Sequence, residues 1–209
     1  MAIVFAAMVP HPPLIIPQVG RGEERLIENT AVAFRSVMRA AAAAHPETAV
    51  IISPHAAAYG DYFHISPRSG AAGDLSAFNA ASVKANVSYD EEFVRQLCQL
   101  AAAEDFPAGT MGEREADLDH ASLVPLYFLR EACGGSLPCR VVRLGLSGLP
   151  LSDHYKLGMM IKETAEKLGR RTVIIASGDL SHVLKEDGPY GFHEEGPIYD
   201  KKIMAAMGS

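Results

Sequence analysis

The sequence predicts an α/β protein: one domain over residues 1–209, with a central, mostly parallel or mixed sheet flanked by helices. Three observations lead there. Short β-branched apolar runs alternate with stretches of helical composition, a β–α–β rhythm that buries strands between helical layers. A chain of 209 residues, 48% apolar and 21% charged, supports one sizeable core and does not resemble a disordered segment. No internal repeat and no low-complexity linker divides it.

Taken in order, AIVFAAMV (2–9) reads as a buried strand that Pro10 closes. Residues 23–44, rich in Ala, Leu, Arg and Glu, predict one long helix, and Pro46 stops it. TAVIIS (48–53) is a second buried strand. DYFHIS (61–66) alternates, which places it nearer a sheet edge, and the Gly-, Ala-, Ser- and Asn-rich residues 67–89 read as an irregular loop or further short strands. Residues 90–104 open on an acidic turn and keep helical apolar spacing. ASLVPLYFLREA (121–132) reads as a buried helix with Pro125 near its first turn. CRVVRLGLS (139–147) and RRTVIIASG (170–178) are further core strands around the helical stretch 152–169. The basic pair in GRR (169–171) reads as the complement of that helix's dipole.

Composition narrows the function classes. The net charge is −6 and no Lys/Arg stripe tracks a phosphate backbone, so nucleic acid is not the expected partner. No apolar stretch approaches the ~18 residues of a membrane span, and the N-terminus lacks the basic region of a signal peptide. Cys98, Cys133 and Cys139 form no CxxC pair and read as reduced thiols of a soluble, cytoplasmic protein.

The histidines carry the functional signal. Three strand-like runs end in a histidine loop: MVPHPP at His11, ISPHAAAYGD at His55 and ASGDLSH at His182. A fourth, His120 in DLDHASLVPL, opens a helix. In a parallel or mixed sheet the C-terminal strand ends share one rim, so residues distant in sequence can converge there. Neutral imidazoles suit Fe, Zn, Cu or Ni, although no local metal motif such as HExxH is present. Asp61, Asp119 and Asp179 are nearby carboxylates able to orient rings or bind substrate; the plainer reading of each is a cap on backbone donors, and of Gly178 a turn residue.

Together VPHPPLIIPQVG, ISPHAAAYGDYFHI, DLDHASLVPLYFL and ASGDLSHVL resemble the LigB-type class III extradiol ring-cleavage dioxygenase family. The resemblance is greatest to the dioxygenase-like domain of AmmeMemoRadiSam-system and Memo-like proteins. It implies a non-haem Fe(II) centre, with Zn or another divalent metal as alternatives, acting on a small aromatic diol and O2. It implies His11 and His55 as metal ligands, His182 as acid/base, His120 beside the substrate pocket, and Asp179 and Asp119 as substrate-binding groups. The family's third ligand, commonly a glutamate, comes from a later segment. Within 1–209 only Glu194, Glu195 and Asp200 are acidic substitutes, and no motif places them on a metal. The reading is therefore a domain short of its C-terminal segment, with reduced metal affinity and with homo-oligomer contacts left open. The alternative function is a non-catalytic Memo-like metal-, peptide- or partner-binding module, and a zinc hydrolase is a third.

Overall fold

A computed structural model describes residues 2–208. The chain opens with β1 (Ile3–Val9), a 3-10 turn, the single-turn α1 (Pro17–Gly20), a second 3-10 stretch and α2 (Glu28–Ala43). β2 (Thr48–Ser53), β3 (Phe63–His64), β4 (Gly70–Leu75) and β5 (Ala80–Ser88) follow, then α3 (Glu91–Ala103), β6 (Ala108–Gly109) and α4 (His120–Ala132). β7 (Arg140–Gly145), α5 (Leu151–Leu168), β8 (Thr172–Ser177) and α6 (Glu195–Met207) complete the fold. No helix among the described residues is long and apolar enough to cross a membrane.

The four apolar runs read as core strands form one all-parallel sheet in the order β1-β8-β2-β7. Helices cover both faces, which is why β2 reads as a continuous apolar run. Ala49 and Ile51 turn to a cluster with Phe34 and Met38 of α2 and Phe128 and Leu129 of α4. Val50 turns to a second cluster with Leu97 of α3 and Met160 and Ile161 of α5.

Several elements depart from the sequence reading. The long helix over 23–44 is a 3-10 stretch, Glu23–Ile27, and then α2. Glu24 folds back to accept from the Gly22 N–H at 2.7 Å, and Leu26 is left 81% exposed, so little apolar burial holds the first turns in α geometry. The 61–66 strand shrinks to β3, paired with β6, and Phe63 to Ser66 are all buried. It covers the edge of β7 through an Ile65–Leu144 bridge, so alternation there did not mean solvent. In residues 67–89 the second of the two alternatives holds, as the antiparallel β4–β5 hairpin turned by Asn79 in the left-handed region at φ 57°. Pro125 lies inside α4, in its second turn.

The GRR pair also does other work. α5 ends at Leu168 with Gly169 left-handed at φ 65°. Arg170 then bonds the Asp90 carboxylate at 3.1 Å and pairs with Glu92, while Arg171 pairs with Glu47 at 3.5 Å. Asp90 is fully buried; it caps α3 through the Phe93 N–H at 3.2 Å and accepts from Thr48 Oγ1 at 2.6 Å. One carboxylate thus joins α3, β2 and the start of β8. Asp90→Ala removes a cap worth about 1 kcal/mol and bonds to a charged group worth about 1.5–3 kcal/mol. Urea denaturation is expected to show a loss of about 3 kcal/mol, with Asp90→Asn losing distinctly less because it still caps. Equal losses in the two variants would contradict this division.

Candidate metal centre

Parallel strands deliver their C-terminal ends to one rim, and three of the four histidines meet there. His11 follows β1. Its backbone N–H donates to Asp179 Oδ1 at 2.8 Å, and its Nδ1 lies 3.0 Å from Ser177 Oγ. With the Nδ1 proton on the serine, the Nε2 lone pair is left for a metal. His55 follows β2, and its N–H donates to Ser53 Oγ at 3.1 Å. His120 is the first residue of α4, whose cap is Asp119.

The His11 and His55 ring centroids are 5.1 Å apart, His11 and His120 5.4 Å, and His55 and His120 4.3 Å. Each ring offers a nitrogen, and the three nitrogens lie within 4.8 Å of one another. His11 is buried, His120 half-buried and His55 exposed, so the cluster opens to solvent on the His55 side. His120, read from the sequence as lining the pocket, thus brings a ring nitrogen into the same cluster as His11 and His55.

Burial lowers the pKa of His11 below the ordinary 6.5; Asp179 opposes that and His55 adds to it. Burial also lowers His120, reinforced by His55 and then His11. Burial thereby favours, in both rings, the neutral form that metal binding uses.

His182 stands outside the donor group. Its side chain is 56% exposed, its ring is edge-on to Tyr190 at 5.5 Å, and its Nε2 lies 3.5 Å from Asp179 Oδ2. The same oxygen is 3.5 Å from His11 Nε2, so one carboxylate stands between a candidate ligand and a candidate proton carrier. Asp119 is fully engaged: Oδ1 accepts from Ser53 Oγ at 2.6 Å and the Ser122 N–H at 2.9 Å, and Oδ2 from Ser122 Oγ at 2.9 Å. Asp61, Glu194 and Glu195 are exposed, and Asp200 accepts from the Ser181 N–H at 2.8 Å; none joins the donor group.

Ser53, Ser177 and Phe78 are site residues that the sequence reading missed. The two central strands, TAVIIS and TVIIAS, both end in serine immediately before the functional loops, and that repetition was the available signal. Phe78 comes from the tip of the hairpin, edge-on to His120 at 5.2 Å, and nothing in the sequence pointed to it.

An all-parallel sheet with a histidine cluster at its C-terminal rim defines a candidate metalloprotein of the α/β class. Residues 5–208 match the family described as the catalytic LigB subunit of aromatic ring-opening dioxygenase, and the chain belongs to this LigB family. It is also 34% identical over 205 residues to Protein CA_C1420 of Clostridium acetobutylicum, a match covering 94% of this chain and 43% of that protein. The chain thus spans less than half the length of this curated relative.

His64, a buried ring away from the cluster, likewise has its pKa lowered by burial. For His11, His64 and His120 the unfolded chain, near 6.5, binds protons before the folded one. Metal-free protein should therefore be fully stable above pH 6.5 and lose stability as the pH falls through the folded values. His64→Gln should make that slope shallower. Urea unfolding at about pH 7.5 and about pH 5.5 checks both; stability rising toward the acid side would contradict the assignment.

Proposed function

We propose that the protein is a metal-dependent ring-opening dioxygenase acting on a small aromatic diol with O2. The observation that carries this reading is the convergence of three imidazole nitrogens within 4.8 Å, in a chain of the LigB family. The donor set fits a divalent transition metal: burial favours the neutral form of His11 and His120, and the His55 side is open to solvent. His11 and His55 would hold the metal, with His120 as the third nitrogen donor. Fe(II) at such a site supplies open positions where a diol and O2 can meet.

The remaining chemistry falls to the chain's own groups. His182, exposed beside the cluster, takes the proton of a diol hydroxyl and returns one as the ring opens. Asp179 Oδ2, 3.5 Å from its Nε2, is placed to orient the imidazole. Asp179 is also the carboxylate available to a substrate hydroxyl, because Asp119 has spent its oxygens on Ser53 and Ser122. Ser177 and Ser53 fix the approach of His11 and His55.

Three nitrogen donors and an open position also match zinc with an activated water, and this favours a hydrolase as the second reading. Metal content after purification without added metal, together with diol-dependent O2 uptake, separates the two. In the dioxygenase reading His11→Ala and His55→Ala lose the metal. His182→Ala keeps it and loses roughly 10²–10⁴-fold in turnover. Metal loss in the His182 variant equal to that in the other two would make His182 a ligand rather than the proton carrier.

A further inference from the structure

We infer that Arg143, on the edge strand β7, is a positioning residue for His120 and so sets the third corner of the donor group. The inference rests on the proposed reading of His120 as a metal donor.

Arg143 is 1% exposed, the largest of the fully buried side chains. Its guanidinium is turned toward the strap of residues 111–119 that leads into α4. Nη1 donates to the Asp117 carbonyl at 2.5 Å, Nη2 donates to the Glu115 carbonyl, and Nε donates to Ser66 Oγ at 3.1 Å. Glu113 Oε1 lies 3.8 Å from Nη2, and neither oxygen of that carboxylate has a hydrogen-bond partner. A planar fork reaching two carbonyls of one strap is a geometric clamp that an ammonium cannot copy.

The strap is also fixed at its ends. Tyr59 bonds the Gly112 carbonyl, and Gly112 needs φ +80°. Leu118 N–H donates to the Ala72 carbonyl of β4 at 2.9 Å, where a side chain on Gly73 would strike the Leu118 carbonyl. Between those ends Arg143 holds Glu115 and Asp117, and Asp117 is two residues from the cap Asp119 and three from His120.

His11 and His55 hang on β1 and β2, whose places are set by ladder pairing with β8 and β7. His120 opens α4, which an irregular strap leads into and whose cap, the last residue of that strap, is tied to Ser53 of β2 at 2.6 Å. Metal–nitrogen distances tolerate only about ±0.2 Å, so slack in the strap reaches the site as a misplaced His120. The pairing of β7 with β2 uses backbone groups and does not need the guanidinium.

Anaerobic Co(II) titration of the full chain tests this by a double-mutant cycle. His120→Ala and Arg143→Met should each weaken Co(II) binding, the second by about 10- to 100-fold, the usual scale for groups that orient ligands. Arg143→Lys should recover part of the loss. In the His120→Ala background, Arg143→Met should cost nothing further. An equal cost in both backgrounds would show that Arg143 acts generally on the fold and would overturn the inference. Unchanged binding in His120→Ala, with His11→Ala abolished, would instead remove His120 from the proposed donor set. Should Arg143→Met fail to fold, hydrogen exchange on the unaltered protein decides: Co(II) should slow the amides of residues 113–119, and unchanged exchange there would overturn the inference.

Discussion

The site depends on the parallel pairing of β1, β8 and β2. In that ladder Val9 lies beside Ser177, and Ile52 beside Ala176, so the three strands end within a residue or two of one another. Whatever follows each strand emerges at the same height on the same rim. His11, His55 and the loop of Asp179 and His182 are therefore neighbours because their strands are. An antiparallel sheet would have sent alternate loops to opposite ends. The Gly178 N–H bonded to the Val9 carbonyl at 2.9 Å continues the ladder one step past β8 and brings Asp179 against the His11 backbone.

Charge is distributed around the cluster in a way that matters for its chemistry. The donor group holds three imidazoles and no carboxylate, and burial keeps two of them below their ordinary pKa. Asp179 is the nearby acid with an oxygen turned to the rings, at 3.5 Å from both His11 and His182. Asp119 sits as near in sequence to His120, yet it acts as a fastener between β2 and α4. Two aspartates that look alike in sequence thus take different parts, according to how many donors surround each.

The loop of His182 leans on α6. Asp200 accepts from the Ser181 N–H, and Gly196 packs so closely on Ser181 and Val183 that a Cβ there would crowd both. α6 itself buries only Gly196 and leaves Ile198, Tyr199, Met204 and Met207 more than half exposed. The exposed histidine and the helix that steadies it are accordingly the least enclosed parts of the site, whereas His11 is held in the core by Ser177 and Asp179.

The strands and their rim were legible in the sequence because β-branched runs ended by proline or glycine have few other uses in a chain of this composition. That was enough to expect a mostly parallel or mixed core with His11, His55 and His182 along one edge of it; that all four strands run parallel was left to the structure. Local pattern could not decide what packing decides. The alternation of DYFHIS suggested an exposed edge, but Phe63 and Ile65 are buried against α3 and β7, because burial depends on what lies across the space. The hairpin tip brings the Phe78 ring onto His120 from far along the chain, and the strap that Arg143 holds is gripped by backbone carbonyls that any sequence possesses. By itself the sequence determined which residues could do the chemistry and on which rim. Only the tertiary structure decided that the His120 ring lies with those of His11 and His55 while His182 stands apart beside Asp179, because that turns on a few ångströms of helix placement.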